Sequence, residues 1–261
     1  MDRDASWERE QPRGVDPDEG LTGSLRDAPP DPLAPIDPGA PVSGHVPAPE
    51  GASHPASHAP EQDWSVAAGL IVPALRPVGT QGMPVSEIDP DALAESAGKT
   101  HTQPLLEEGP CGLAVVYAMA GGGFDVIVNA DHLLSWRVST AEVHDTAMRN
   151  LAEWSARAPW TDEVSGDRRL LSSETGDGND AARILLPEVR DHLTRELGLA
   201  GRVLVGLPER HLLLAGTIRP EDQEFAQLFA EFVIEHSGGA DEPIDRRVFE
   251  LVDGQLVEFA G

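Results

Sequence analysis

Three pairs of strand-length apolar runs, each joined by a short turn, constrain this chain more than any other feature. LAVVYAM and FDVIV are separated by Ala120-Gly121-Gly122-Gly123. RVLVGLP and HLLLAG meet at Pro208-Glu209-Arg210-His211, and VFELV and QLVEF flank Asp253-Gly254. Runs this close together can pair only as antiparallel hairpins, and Asp-Gly favours a type I′ turn because both central residues tolerate positive φ. A phosphate-cradling reading of the glycines at 121–123 fails, because a strand-like run follows them and not a helix.

Helical patterns punctuate the hairpins. Ser139 with Glu142 forms a capping box, Val143, Ala147, Met148 and Leu151 share one face, and Pro159 stops that helix. A second helix starts near Pro187, keeps Val189, Leu193 and Leu197 on one side, and ends at Gly198. A third opens at Pro220, carries Phe225, Leu228, Phe229, Phe232 and Val233 at helical spacing, and stops at Gly238-Gly239. Arg168 to Ser173 reads as a strand, and Asp89-Pro90 with DALAESAG reads as a short helix inside a turn-rich connector over 79–110. VAAGLIVPALRP, interrupted by Pro73 and Pro77, reads as an extended piece packed on the domain. The order is ββαβ, a helix, then ββαββ. That predicts an α+β fold with a mixed or antiparallel sheet built from hairpins and packed helices. The recurrence of ββαβ suggests a duplicated unit.

About half of the 23 prolines lie in roughly the first 60 residues. That stretch has no apolar period, so residues 1–62 are expected to be a disordered, acidic, Pro-rich tail. Residues 63–261 then form a single α+β domain with its core over 112–259. A formal charge of -26 argues against nucleic acid or an anionic membrane as partner, since both need clustered Lys and Arg. Cys111 is the only cysteine, which excludes a disulfide framework and reads as a small buried hydrophobe. Met1-Asp2-Arg3-Asp4 lacks the basic and apolar regions of a secretory signal, and the run from Val66 to Leu75 is too short to span a bilayer. The expectation is a cytoplasmic protein. Trp136, Trp154 and Trp160 flank the helix that starts at Ser139 and read as core or rim packing.

Chemistry-bearing residues are few. Gly176-Asp177-Gly178-Asn179-Asp180 is one residue short of the magnesium-binding motif of haloacid dehalogenase phosphatases. The Asp-x-Asp pair those enzymes need is missing, since Asp125 and Asp131 stand too far apart. Glu174, Asp177, Asn179 and Asp180 are nevertheless hard oxygen ligands, while the alternative has Asp177 to Asp180 forming a turn and capping the next helix. Arg210 could clamp a carboxylate or phosphate, or pair with an acidic neighbour. His211 could titrate near neutrality but has no assigned partner. The ligand-binding candidates are therefore Asp177, Asn179, Asp180, Arg183, Arg210 and His211; no metal set or cofactor is assigned. His45, His54 and His58 lie in the tail, where metal capture would be weak. No hydrolase elbow, zinc helix, cysteine pair or P-loop occurs.

From Leu70 onward the chain resembles the YtpQ-like family of bacterial domains of unknown function. The resemblance rests on IVPALRP, HLLSWRVS, AMRNLAEW, GDGNDAARILLP and VLVGLPERHLLLAG in that order. Two positions depart from the family's pattern: Asp180 stands where an aromatic often follows, and His211 where an acid often follows. The resemblance implies a fold and no activity. Two functional expectations result. The first is a non-catalytic interaction module that reaches a protein partner through its acidic tail. The alternative is a metal- or anion-dependent, hydrolase-like enzyme built on the 174–180 loop with Arg210 and His211, which requires the two turns to meet.

Overall fold

The computed structural model describes residues 59–260 except Ala97, Gly122, Gly123, Ala200 and Pro220. Residues 1–58, which include most of the expected tail and His45, His54 and His58, lie outside the described residues, as does the expected helix opener Pro220.

The first part of the chain runs α1 (Trp64–Ala67), β1 (Ile71–Arg76), β2 (Met83–Pro84), α2 (Pro90–Glu95), β3 (Leu105–Glu108), β4 (Ala114–Gly121) and β5 (Phe124–Ile127). Then come α3 (Ala130–Trp136), α4 (Thr140–Ser155), β6 (Thr161–Ser165), β7 (Arg168–Ser173) and α5 (Pro187–Leu197). The chain closes with β8 (Arg202–Glu209), β9 (Leu212–Ile218), α6 (Gln223–Gly239), β10 (Val248–Val252) and β11 (Gln255–Glu258). The fold is α+β, with one mixed and one antiparallel sheet.

The smaller sheet runs β1-β4-β3-β2, with β5 also paired to β4. Only β2 and β3 run parallel; the other pairs are antiparallel. The larger sheet is antiparallel in the order β11-β10-β8-β9-β7-β6. All three sequence-read hairpins form: β4 with β5, β8 with β9, and β10 with β11. Asp253 and Gly254 have φ of 50° and 73°, as a type I′ turn requires. Pro73 sits in β1, an edge strand, where a residue lacking an N–H is tolerated. The ββαβ order recurs along the chain, but β4 and β5 lie in the small sheet while β7 joins β9 in the large one, so the two stretches are not superposable sheet units.

The helices fall where their caps and periods place them. The Ser139 side chain accepts from Glu142 N–H at 3.2 Å and starts α4, while the Glu142 carboxylate turns to Trp64 Nε1 instead of closing the box. α3 has no counterpart in the sequence reading. Its capping box uses His132 in place of the usual Glu or Gln, with Asn129 as the N-cap residue. β3 and β6 were also hidden. β3 is only four residues long, and the five residues of β6 (TDEVS) are all exposed and lack an apolar alternation.

Every residue from Leu113, just before β4, to Met119 is buried, and Leu113, Val115, Tyr117 and Met119 share one face. The first two join the cluster that lies against α5 and the large sheet; the last two pack with α3 and with Val143 and Ala147 of α4. Leu151, two turns further along α4, reaches the first cluster, so this helix spans both cores. Asn150 fixes it to the start of β1, donating to the carbonyls of Ala68 and Ile71 at 2.8 Å each. Trp136 is buried, and Trp154 and Trp160 are half-buried against the larger cluster.

α6 lies over β8 and β9 on the opposite face of the large sheet. Phe229 and Val233 are its buried contacts, joined by Leu204, Leu214 and Ile218. The five-residue stripe read from sequence is wider than this core face: Leu228 and Phe232 point elsewhere, at 49% and 40% exposure. Cys111 departs from expectation too. It is half-buried in a tight turn with φ of 55°, and its Sγ–H donates to the Leu256 carbonyl at 3.2 Å. Burial pushes its thiol pKa up. Among the described residues, no helix is long and apolar enough to cross a membrane.

Candidate functional site

The two polar turns meet. Arg210 Nε donates to the Gly178 carbonyl at 2.8 Å, and Ala181 N–H donates to the Arg210 carbonyl at 3.2 Å. Gly178 has φ of 77°, and a Cβ there would stand 2.7 Å from Arg210 Nε, so the close approach requires glycine. The Arg210 guanidinium also forms ion pairs with Asp125 of β5 and with Glu242 at 3.1 Å. Burial by itself would lower the Arg210 pKa, but the pairs with Asp125 and Glu242 outweigh it and raise it. Arg76 of β1 faces the same Glu242 at 3.7 Å, and there burial dominates and lowers the pKa. The junction therefore ties the small sheet to the β8–β9 turn, and its arginine already faces two carboxylates.

Asp180 and Arg183 are structural. Asp180 is fully buried, and its carboxylate accepts from Ser173 Oγ at 2.6 Å, Thr175 N at 3.1 Å and Thr175 Oγ1 at 2.9 Å. It closes its own loop; its side chain makes no cap bond to the following turn at 181–185, which corrects the capping expectation. Arg183 donates to Ser155 Oγ at 3.0 Å, to Ser173 Oγ at 2.7 Å and to the carbonyls of Ser155 and Pro159 at 3.2 and 3.3 Å. Its guanidinium stacks 4.0 Å from the Trp160 ring centroid. Burial lowers its pKa to about 10, against the attraction of Asp180. A cation at this place satisfies the carbonyl of Ser155, the last residue of α4, and that of Pro159 in the segment that follows.

The remaining candidates disperse. Asp177 is exposed and accepts from Trp154 Nε1 at 3.0 Å, while Asn179 is half-buried between Gly178 and Asp180. Among the described residues, no group of three or more His, Cys, Asp or Glu is gathered to hold a metal ion. His211 Nε2 lies 4.0 Å from the Glu242 carboxylate, and its buried Nδ1 has no hydrogen-bond partner among the described residues.

Two features lay outside the sequence-read candidates. In the small sheet, His144 Nδ1 lies 2.9 Å from Tyr117 Oη and 3.0 Å from Glu107 Oε2. Burial, reinforced by the Glu107 hydrogen bond, pushes the Tyr117 pKa far up, so the phenol stays protonated. The other feature is an apolar groove of about 380 Å³ between α6 and the β6–β7 edge. Leu170 and Leu214 floor it, and Phe225, Leu228 and Phe232 wall it at i, i+3 and i+7 along α6. The sequence signal is the width of the α6 stripe, whose five apolar residues exceed one core face.

In comparison with known proteins, the chain matches no protein-family profile, no curated protein and no solved structure.

Proposed function

We propose that this chain is a non-catalytic, cytoplasmic protein-interaction module. Its partner seats in the groove beside α6 and is also engaged by the acidic segment 1–62. One observation carries this reading: Leu228 and Phe232, at 49% and 40% exposure, line an apolar groove that none of the described residues fills. The acidity and proline content of the first 62 residues support its second half. Membership of the YtpQ-like family is part of the same proposal and rests on the ordered segments from IVPALRP to VLVGLPERHLLLAG. The test is quantitative capture from cell extract with the full chain, a Leu228→Glu/Phe232→Glu variant and a chain lacking residues 1–62. A specific partner should be lost with the groove variant and weakened by the deletion, while circular dichroism stays unchanged. Capture indifferent to both changes would sink the reading.

The second reading, an anion- or metal-dependent hydrolase-like enzyme, is favoured by the meeting of Arg210 with Gly178. It requires an anion to displace Asp125 or Glu242 from the guanidinium. Thermal-shift measurements with inorganic phosphate, magnesium and calcium address it. A ligand at about 100 times its Kd stabilises by about 2.7 kcal/mol and raises Tm by roughly 5–10 °C. A shift abolished by Arg210→Ala would establish the site, and flat melting curves would remove it.

A further inference from the structure

We propose that the groove beside α6 receives an amphipathic helix whose apolar face is bordered by lysine or arginine. The inference rests on the interaction reading above and assigns the class of partner.

Shape selects a helix. α6 covers β8 and β9, and the neighbouring strands β7 and β6 present Leu170 and Glu163 on the same face beside it. This leaves a shelf next to an existing helix, and helices pack side by side at about 8–10 Å. Of the wall residues, Leu228 and Phe232 are four apart and share one ridge of α6 with Phe225 beside it, against which the grooves of a second helix can seat. An added strand would instead pair along β6, where Asp162 and Glu163 stand exposed, and would leave the apolar floor uncovered.

Charge selects the borders. Glu231 and Glu235 follow Leu228 by three and seven positions, which places an acidic stripe directly above the apolar one. Glu163 stands on the opposite rim. None of these three has a cationic partner among the described residues. The arginines at the groove are already neutralised. Arg168 holds Asp222 at 2.8 Å and Glu224 at 3.0 Å, and Arg169 holds Asp162 at 2.8 Å and Glu196 at 3.2 Å. Both rims are thus acidic, and a helix lying between them needs cations on both flanks of its apolar face.

The same charges disfavour two other occupants. Residues 1–58 carry 11 acidic against 4 basic residues and 11 prolines, unsuited to either the rims or the helical form. A second copy docking through α6 would set Glu231 and Glu235 against their own counterparts.

The test is selection of a random 18-residue peptide display library on the full chain, with each enriched sequence counter-screened on Leu228→Glu/Phe232→Glu. Groove-dependent sequences should carry apolar residues at i, i+3 or i+4, and i+7 with Lys or Arg beside them. A synthetic representative should gain helicity on binding and lose affinity roughly tenfold on Glu231→Lys/Glu235→Lys, a variant whose melting temperature should match that of the parent. Groove-dependent peptides that are acidic or extended, or that bind the lysine variant equally well, would overturn the basic helix and leave the interaction reading standing. An absence of any groove-dependent sequence would overturn both. A concentration-dependent dimer that dissociates in the groove variant would assign the face to a second copy and overturn the proposal.

Discussion

Gly206 lies so close beneath Val233 that a Cβ on the glycine would stand 2.5 Å from the valine Cγ2. Gly216, on the neighbouring strand, would bring its Cβ to 3.3 Å from the Phe225 ring. These two positions let α6 settle onto β8 and β9, and the depth of that seat leaves Leu228 and Phe232 lining the groove. Gly206→Ala should therefore destabilise by about 1–3 kcal/mol through overpacking, and Gly216→Ala by less. Denaturant unfolding of the two variants checks the order; equal costs would contradict it.

Gly176 and Gly178 separate backbone strain from crowding. Both have positive φ, 82° and 77°, but a Cβ at Gly176 meets nothing within 4 Å, whereas one at Gly178 meets the Arg210 guanidinium. Gly176→Ala should cost about 1 kcal/mol from the left-handed backbone alone. Gly178→Ala should cost about 2–3 kcal/mol, because it also dislodges Arg210 from its carbonyl partner. The excess should vanish in an Arg210→Ala background, measured as a double-mutant cycle.

Arg183 is a second target for stability measurements. Arg183→Met leaves the carbonyls of Ser155 and Pro159 without their donor and should destabilise by about 3 kcal/mol or more. Ser173 Oγ links Arg183 to Asp180, so Asp180→Asn and Arg183→Met should be non-additive. Strict additivity would show that the hydroxyl does not couple them.

His132 gives a pH dependence with a defined sign. Burial lowers its pKa, and its Nδ1 must stay unprotonated to accept from Asn129 N–H at 3.1 Å. The unfolded chain therefore takes up a proton on this ring at a higher pH than the folded one. Its contribution to stability is complete above the unfolded value of about 6.5 and is lost as pH falls through the folded value. His132→Gln keeps a capping-box side chain without the ionisation, so its stability relative to the parent should rise between about pH 7 and pH 5. Parallel pH curves for the two proteins would refute this.

The hairpins and the three long helices were legible because each is specified locally, by a turn such as Asp253-Gly254 or a cap such as Ser139. β6 was not, because all its residues face solvent and its only structural cue is its pairing with β7. α3 escaped for a different reason: its capping box substitutes His132 for the expected Glu or Gln. At the candidate site, Arg210 and the 176–180 loop were legible as polar interruptions. Their meeting was not, since Arg210 and Gly178 are joined by tertiary approach across 32 positions. The groove was not legible, because the i, i+3, i+7 spacing is the same whether a stripe packs inward or stands open. Only the sheet order, which stops α6 at β9, distinguishes the two cases.

The solvent-facing β6 bears on how the protein avoids polymerising. It closes one side of a six-stranded antiparallel sheet and, among the described residues, carries an unpaired row of backbone donors and acceptors, the arrangement that templates fibril growth. Asp162 and Glu163 stand in the middle of that row. Part of the chain's acidity thus acts as a gatekeeper at a specific sheet margin, and a Glu163→Val substitution would convert that margin into a sticky one without touching the core.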